Sequence, residues 1–252
     1  MNTWDWIPLL LLLPLGIALG GGGALLLFVR HWRRHRSAFR LFSVDRGGAF
    51  LPGPAVAHPA LIQRPACWLA IRTGSVHAVQ SALRLHNARP CSWVDGLASE
   101  QKLFIAPPVR GWVLVIGAGL PDPADDVDIC FRFLLQLSRQ LGHVQLFSAN
   151  RALSHHAWVR VQNGRVVRAY AWAGQTLWDQ GVKTLAELEL KMACFRYLET
   201  PPRPFFGQPD VLARNTDKVP RLAARWSLDP AAVDERLFEH ASGLAGEPPR
   251  LY

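Results

Sequence analysis

The chain has 252 residues, half of them hydrophobic, and a formal net charge of +9. Enough of these residues are apolar to build one core of ordinary domain size. Residues 1–40 carry five arginines and one aspartate, which leaves +5 for residues 41–252, where lysines and arginines look scattered. Nucleic-acid binding through counterion release needs a concentrated basic face. The composition therefore excludes a nucleic-acid partner.

An uncharged, leucine-rich run occupies residues 7–29 and ends at a basic cluster. At about 1.5 Å of helical rise per residue it reaches roughly 34 Å, enough to cross a hydrocarbon core of about 30 Å. Tryptophans and arginines flank it, as at the two interfaces of a bilayer. The predicted interface residues are Trp4, Trp6, Arg30, Trp32, Arg33, Arg34 and Arg36. The sequence thus predicts a transmembrane anchor with the lipid bilayer as a partner.

Charge bias orients this anchor, because arginines follow the run and only Asp5 precedes it. The positive-inside rule places the N-terminus outside and the rest of the chain on the cytoplasmic side of an inner (plasma) membrane, as a single-pass protein. The alternative is a signal peptide cleaved near Ala18-Leu19-Gly20. It is disfavoured because the first residues carry no lysine or arginine and the apolar run resumes afterwards.

Composition divides the chain into four parts. Residues 1–36 form the anchor with its basic collar, and 37–65 are a Pro/Gly-rich connector. Residues 66–200 are predicted to form an α+β globular domain. A helical extension with a frayed tail covers 201–252.

Apolar runs and caps predict β-α-β-β-α-β in the first half of the globular domain. Strands are expected at 67–71, 102–106, 111–117 and 144–147, and helices after Ser75 and at 123–141. That order is the ferredoxin-like arrangement, in which both helices cover one face of an antiparallel sheet. The fold class is therefore α+β, an N-terminal transmembrane helix followed by a ferredoxin-like sheet, which a hairpin and C-terminal helices extend.

The hairpin is indicated by Asn163-Gly164 between two β-rich runs. A regular two-residue loop pairs Val161 with Val166 and, further along, Val159 with Arg168. The same register pairs Ala157 with Tyr170 and His155 with Trp172, on one mostly apolar face. Thr184 and Glu187 then form a capping box that opens a helix.

Nucleotide chemistry is disfavoured. Gly117-Ala118-Gly119 lies between a strand and a helix, but Asp122 replaces the third glycine of a dinucleotide-binding loop. Negative charge at that helix start would also repel a pyrophosphate. The neighbouring aspartates are read as helix caps, because they lack an EF-hand-like loop. No cofactor and no metal site are predicted.

Three residues are weak catalytic candidates. His156 is expected on the second face of the hairpin, His143 is close to it in sequence, and Asp126 or Asp128 is the possible acidic group. A metal or a triad needs a third group at a suitable spacing, and none is evident. A membrane-tethered hydrolase or metalloenzyme built on His156 and His143 is therefore the alternative function.

The main prediction is a non-enzymatic, membrane-anchored module that binds another protein or a small ligand on the cytoplasmic side. It depends on an aromatic group around the hairpin, which marks a partner surface if its rings are exposed. The predicted binding residues are Trp158, Arg160, Tyr170, Trp172 and Trp178. A helix-turn-helix rhythm at 219–233 is discounted, because the second helix is acidic and would be repelled by phosphates.

Overall fold

The computed structural model describes residues 65–98, 102–117, 119–202, 210–238 and 241–248. Within them the chain forms nine strands, five α-helices and two 3₁₀ turns. The strands are β1 (Cys67–Arg72), β2 (His86–Cys91), β3 (Leu103–Ile105), β4 (Trp112–Gly117), β5 (His143–Asn150), β6 (His155–Gln162), β7 (Arg165–Trp172), β8 (Thr176–Gln180) and β9 (Gly243–Glu247). The helices are α1 (Val76–Ala82), α2 (Trp93–Ala98), α3 (Val127–Leu141), α4 (Leu185–Glu189) and α5 (Val211–Trp226), and the turns are Pro230–Ala232 and Glu235–Phe238.

All nine strands belong to one sheet in the order β2-β9-β3-β4-β1-β5-β6-β7-β8. Every neighbouring pair is antiparallel. Side chains alternate between the two faces of a strand, so each face can be followed through the register. In β1, for example, Leu69 and Ile71 belong to one core while Trp68 and Ala70 belong to the other.

The two faces carry separate cores, which we call the first and second face. On the first face α1 and α3 pack on the sheet through apolar residues such as Val79, Cys130 and Leu134. On the second face α5 packs through Val219 and Leu222, together with aromatic side chains of the central strands. Because both faces are buried, the central strands read as continuous apolar runs rather than as alternating ones.

The predicted ferredoxin-like fold is wrong. Strands and helices occur near the expected positions. The strands, however, belong to a nine-stranded sheet that extends beyond both edges of the predicted sheet. The stretch after α1 that looked irregular contains β2 and α2. A ferredoxin-like sheet buries one face under its helices, whereas the second face is also covered here. The aromatic residues of the second face require that cover, because they would otherwise expose a large apolar surface.

The predicted transmembrane anchor is also corrected. In the part of the chain that the structure describes, no helix is long and apolar enough to cross a membrane. The longest described helix, α5, has 16 residues, which reach only about 24 Å. The predicted span at 7–29 and its interface residues lie outside the described residues. The described structure therefore does not support the predicted membrane-anchored function or the predicted single-pass location at an inner membrane.

The hairpin register shifts by one residue after the turn. Val161 pairs with Val166 as predicted, but Arg160 then pairs with Arg168, which leaves Val167 as the extra residue of a β-bulge. A bulge moves all following side chains to the opposite face. Trp158 consequently pairs with Tyr170, and both lie on the second face. The predicted pairs of Val159 with Arg168 and His155 with Trp172 are wrong for this reason.

The C-terminal residues are part of the sheet. Residues 243–247, which were expected to be frayed, form β9 between β2 and β3. The two glycines of β9 suit this position. A Cβ on Gly243 would lie 2.4 Å from the carbonyl oxygen of Ile105, and one on Gly246 would lie 2.7 Å from that of His86.

Candidate functional site

The predicted aromatic binding residues are buried. Trp158 and Tyr170 have no exposed surface, and Trp172 and Trp178 are only 3% and 6% exposed. They do not form one group, since Trp178 lies on the first face against Phe131 while the others lie on the second. The fifth predicted residue, Arg160, is half-buried on the second face. The aromatic rings therefore build the two cores and present no surface to a partner.

His156 is enclosed in the second-face core and has a defined tautomer. Ala193 orients the side-chain amide of Asn215. Oδ1 of Asn215 accepts from the N–H of Ala193, and Nδ2 donates to the carbonyl oxygen of Ala193. Its nitrogen therefore donates to Nε2 of His156 at 3.3 Å, and Nδ1–H donates to Oγ1 of Thr216 at 3.1 Å. Burial, with a smaller effect of His155, lowers the pKa of His156 to about 4. This histidine is neutral and fully bonded, which suits a structural role.

The three catalytic candidates are not brought together. His143 lies at the start of β5, whereas His156 pairs with Ala149 near the other end of that strand. Six residues of strand separate the two positions by roughly 20 Å. Asp126 caps α3 and accepts from the N–H of Ile129 at 2.9 Å. Among the described residues no group of three or more His, Cys, Asp or Glu side chains could hold a metal ion.

The strongest surface feature is formed around α5. Asp210 caps this helix by accepting from the N–H of Leu212 at 2.9 Å. One side of the helix packs on the sheet, and its opposite side carries cations at helical spacing. These cations are Arg214, Lys218, Arg221 and Arg225. Residues three, four or seven positions apart share one side of a helix, so the cations form a single stripe.

A cleft of about 400 Å³ opens beside this stripe. Its lining comprises Arg151, Arg214, Asp217, Lys218, Pro220, Arg221 and Asp229. Four of these side chains are cationic and two are carboxylates. Arg151 comes from the loop between β5 and β6, and Asp229 comes from the segment that follows α5. We call this site the α5 cleft.

The two carboxylates of the α5 cleft leave half of its positive charge uncompensated. Asp217 pairs with Arg151 at 2.9 Å, and Oδ1 of Asp229 accepts from the N–H of Ala231. Within the described residues Arg214 and Arg221 have no carboxylate within 4 Å. Positive charges that line one cleft repel one another.

The repulsion affects the pKa of Lys218. Partial burial and then the charges of Arg214, Lys191 and Arg221 lower the pKa of its ammonium group. The ammonium donates to the carbonyl oxygen of Lys191 at 2.9 Å, so it is held at the cleft by a neutral acceptor. An anion entering the cleft would relieve the repulsion and meet donors that are already in position.

The α5 cleft was missed because charge was judged over the whole chain. The spacing of Arg214, Lys218, Arg221 and Arg225 was visible in the sequence as a helical stripe. The approach of Arg151 and Asp229 was not visible, because it depends on how α5 packs on the sheet.

A search for similar proteins found no matching family model, no matching curated protein and no matching solved structure. The α5 cleft therefore has to be interpreted from its own chemistry. Its features are converging cations, a volume of ligand size and a location on a well-packed helix.

Proposed function

We propose that this chain is a binding protein whose α5 cleft holds a small, phosphate-bearing anion. The observation that carries the proposal is the pair Arg214 and Arg221, which face one cleft without carboxylate partners among the described residues. Guanidinium groups bind phosphate through parallel N–H···O bonds, and they stay charged at any physiological pH.

The size of the cleft favours a small molecule. About 400 Å³ lies within the range of roughly 300–1,000 Å³ that is typical of small-molecule sites. Arg214 and Arg221 are seven residues apart, or about 10 Å along the helix. Lys218 lies between them. A ligand with two neighbouring anionic groups, such as a diphosphate, would engage all three.

The lining disfavours a nucleic-acid strand. Binding of single-stranded nucleic acid usually combines a cationic groove with aromatic side chains on which bases stack. The lining of the α5 cleft has no aromatic side chain, and Asp217 and Asp229 would repel a continuous phosphate backbone. The absence of a nucleic-acid partner stays a prediction.

The proposal is tested by titrating the full-length chain with pyrophosphate in phosphate-free buffer and measuring the heat of binding. We expect saturable binding that weakens with added salt, because the contacts are charged and partly exposed. The variant R214Q/R221Q should bind pyrophosphate at least about tenfold more weakly, equivalent to about 1.4 kcal/mol. The matched control R89Q/R132Q removes the same charge from exposed positions on β2 and α3 and should bind like the wild type.

Three results would overturn the proposal. The first is an absence of saturable pyrophosphate binding by the wild type. The second is an equal loss of binding in R89Q/R132Q, which would mean that only the net charge matters. The third is tighter binding of duplex DNA than of pyrophosphate, lost in R214Q/R221Q. That result would assign the stripe to a nucleic acid.

A further inference from the structure

A second polar group lies at one end of the second face, away from the α5 cleft. It is formed by strand ends that the register brings side by side. Arg72 pairs with Trp112, Gln145 pairs with Arg160, and His143 pairs with Gln162. Ile71 pairs with Val144, so Arg72 comes next to His143 on the neighbouring strand. We call Arg72, His143, Gln145, Arg160 and Gln162 the sheet-end group.

The sheet-end group reaches from solvent into the interior. Arg72 is exposed, His143 and Arg160 are half-buried, and Gln145 has no exposed surface. The guanidinium of Arg72 lies 5.9 Å from the ring centre of Trp112, whose ring meets His143 edge-on at 5.1 Å. The indole of Trp112 thus contacts both the guanidinium of Arg72 and the imidazole of His143 at the exposed end of the sheet-end group.

Two buried polar atoms in this group have no hydrogen-bond partner. One is the acceptor Oε1 of Gln145, and the other is the donor Nε of Arg160. The two residues face each other across β5 and β6, so one bound molecule could bond to both atoms. Burying a polar atom without a partner is costly, and two such atoms on paired residues therefore point to a ligand site.

The remaining bonds of Gln145 keep its orientation. Its amide nitrogen donates to the carbonyl oxygen of Trp226 at 3.4 Å and to Nε2 of His143 at 3.1 Å. Oε1 is therefore the end left over. The amide nitrogen of Gln162 also lies 3.5 Å from Nδ1 of His143, so each ring nitrogen faces a side-chain amide.

Among the described residues, the charges that act on the imidazole of His143 are positive. Burial, then Arg160 and then Arg72 lower the pKa of His143 to about 4. The neighbouring α5 contributes a backbone carbonyl at Trp226, and β4 contributes the neutral indole of Trp112. The sheet-end group therefore contains two guanidinium groups and no carboxylate, so its net charge is positive.

We propose that the sheet-end group is a second ligand site, for a small oxyanion that also carries an O–H group, such as a hydroxycarboxylate. The anionic oxygens would accept from Nε of Arg160 and from Arg72. The O–H group would donate to Oε1 of Gln145. In this arrangement each unpaired atom makes one hydrogen bond to the ligand. The arrangement explains why an unpaired acceptor and an unpaired donor lie on paired residues.

The matched probes are glycolate and acetate, which differ by one hydroxyl group. The full-length wild type is titrated with each while the pH titration of the His143 ring is followed by NMR. A bound anion adds negative charge near the ring, so glycolate should raise the pKa of His143 by about 1 or more. Acetate should do so only at concentrations at least tenfold higher, since it leaves Oε1 of Gln145 unpaired.

The variant R160M should abolish the effect of glycolate, and the exposed control R89M should retain it. If R160M unfolds, the glycolate and acetate titrations of the wild type still decide the question. Equal effects of the two anions would overturn the hydroxyl contact. No effect of either anion would mean that Arg160 and Gln145 satisfy each other, and the proposal would fail. Neither probe needs the α5 cleft, so R214Q/R221Q should respond to glycolate like the wild type.

Discussion

Arg168 is the clearest example of a residue whose environment the sequence conceals. Its side chain is 1% exposed, yet it is ion-paired at 2.9 Å with Glu187, which is fully buried, and at 2.6 Å with Asp179. Burial acts to lower the pKa of Arg168, but the bonds to Asp179 and Glu187 outweigh it and the pKa is raised. Glu187 also accepts from the indole N–H of Trp158 and from Thr184. Each charge is fully bonded, as a buried ion pair requires.

We predict that Glu187→Gln destabilises the chain by about 3 kcal/mol, because it leaves Arg168 with only Asp179 as a counter-ion in the interior. The control is Glu189→Gln, two residues away on the same helix. Glu189 pairs with Arg225 on the surface, where both side chains are nearly half-exposed. That variant should change the free energy of unfolding by less than about 1 kcal/mol. Chemical denaturation measures both, and similar losses in the two variants would contradict the prediction.

His156 should make stability depend on pH. Its pKa is about 4 in the folded chain and about 6.5 when unfolded, so folding favours the neutral ring. The stabilisation is complete above about pH 6.5 and is lost as the pH falls toward 4, at about 1.4 kcal/mol per pH unit. His156→Gln should flatten the stability curve in that window, measured by denaturation at several pH values. His86→Gln, on the exposed edge strand, should leave the slope unchanged, and an unchanged slope in His156→Gln would refute the prediction.

At the scale of the elements, the β-bulge in β7 decides what the second half of the sheet contains. Without Val167 as an extra residue, Arg168 would lie on the first face opposite Val159. With it, the guanidinium reaches Glu187 and Asp179 on the second face. The bulge lies against Gly181 at the end of β8. A Cβ there would lie 2.2 Å from the carbonyl oxygen of Val167.

Gly181→Ala should therefore be destabilising beyond the cost of its backbone angle. Gly174 provides a matched control, since both glycines have similar positive φ values, +81° and +78°, and a Cβ on Gly174 meets nothing within 4 Å. Gly174→Ala should cost about 1 kcal/mol for the left-handed conformation. Gly181→Ala should cost at least about 1–3 kcal/mol more from the clash with Val167. Equal melting temperatures of the two variants would show that the bulge moves freely.

At the scale of the whole molecule, the sheet pairs strands that lie far apart in the described sequence. β9 lies between β2 and β3, so about 150 residues separate strands that are hydrogen-bonded neighbours. Among the described strands β2 has no other neighbour in the sheet. Its position therefore depends on β9.

Deleting residues 241–252 should expose the edges of β2 and β3. We expect a lower melting temperature and association of the truncated chain, since unpaired strand edges pair with other chains. Deletion of 249–252 alone leaves β9 intact and serves as the control. Thermal unfolding and light scattering measure the outcome. A truncated chain that melts like the wild type and remains monodisperse would show that β9 is dispensable.

Local features were readable from the sequence alone. Ser75 and the capping box of Thr184 and Glu187 begin helices as predicted, Gly142 follows the end of α3, and Asn163-Gly164 forms the hairpin turn. These features involve hydrogen bonds and backbone angles within a few residues, so the sequence contains the whole interaction.

Tertiary structure alone decided the bulge at Val167, the interior position of Arg168, the insertion of β9 and the meeting of Arg151 with α5. Each depends on contacts between distant segments, whose energies exceed local preferences and leave no periodic pattern in the chain. The same holds for the sheet-end group, where strand pairing alone brings Arg72 beside His143 and Arg160 beside Gln145. Local chemistry thus determined where elements begin and end, and long-range packing determined which side chains meet.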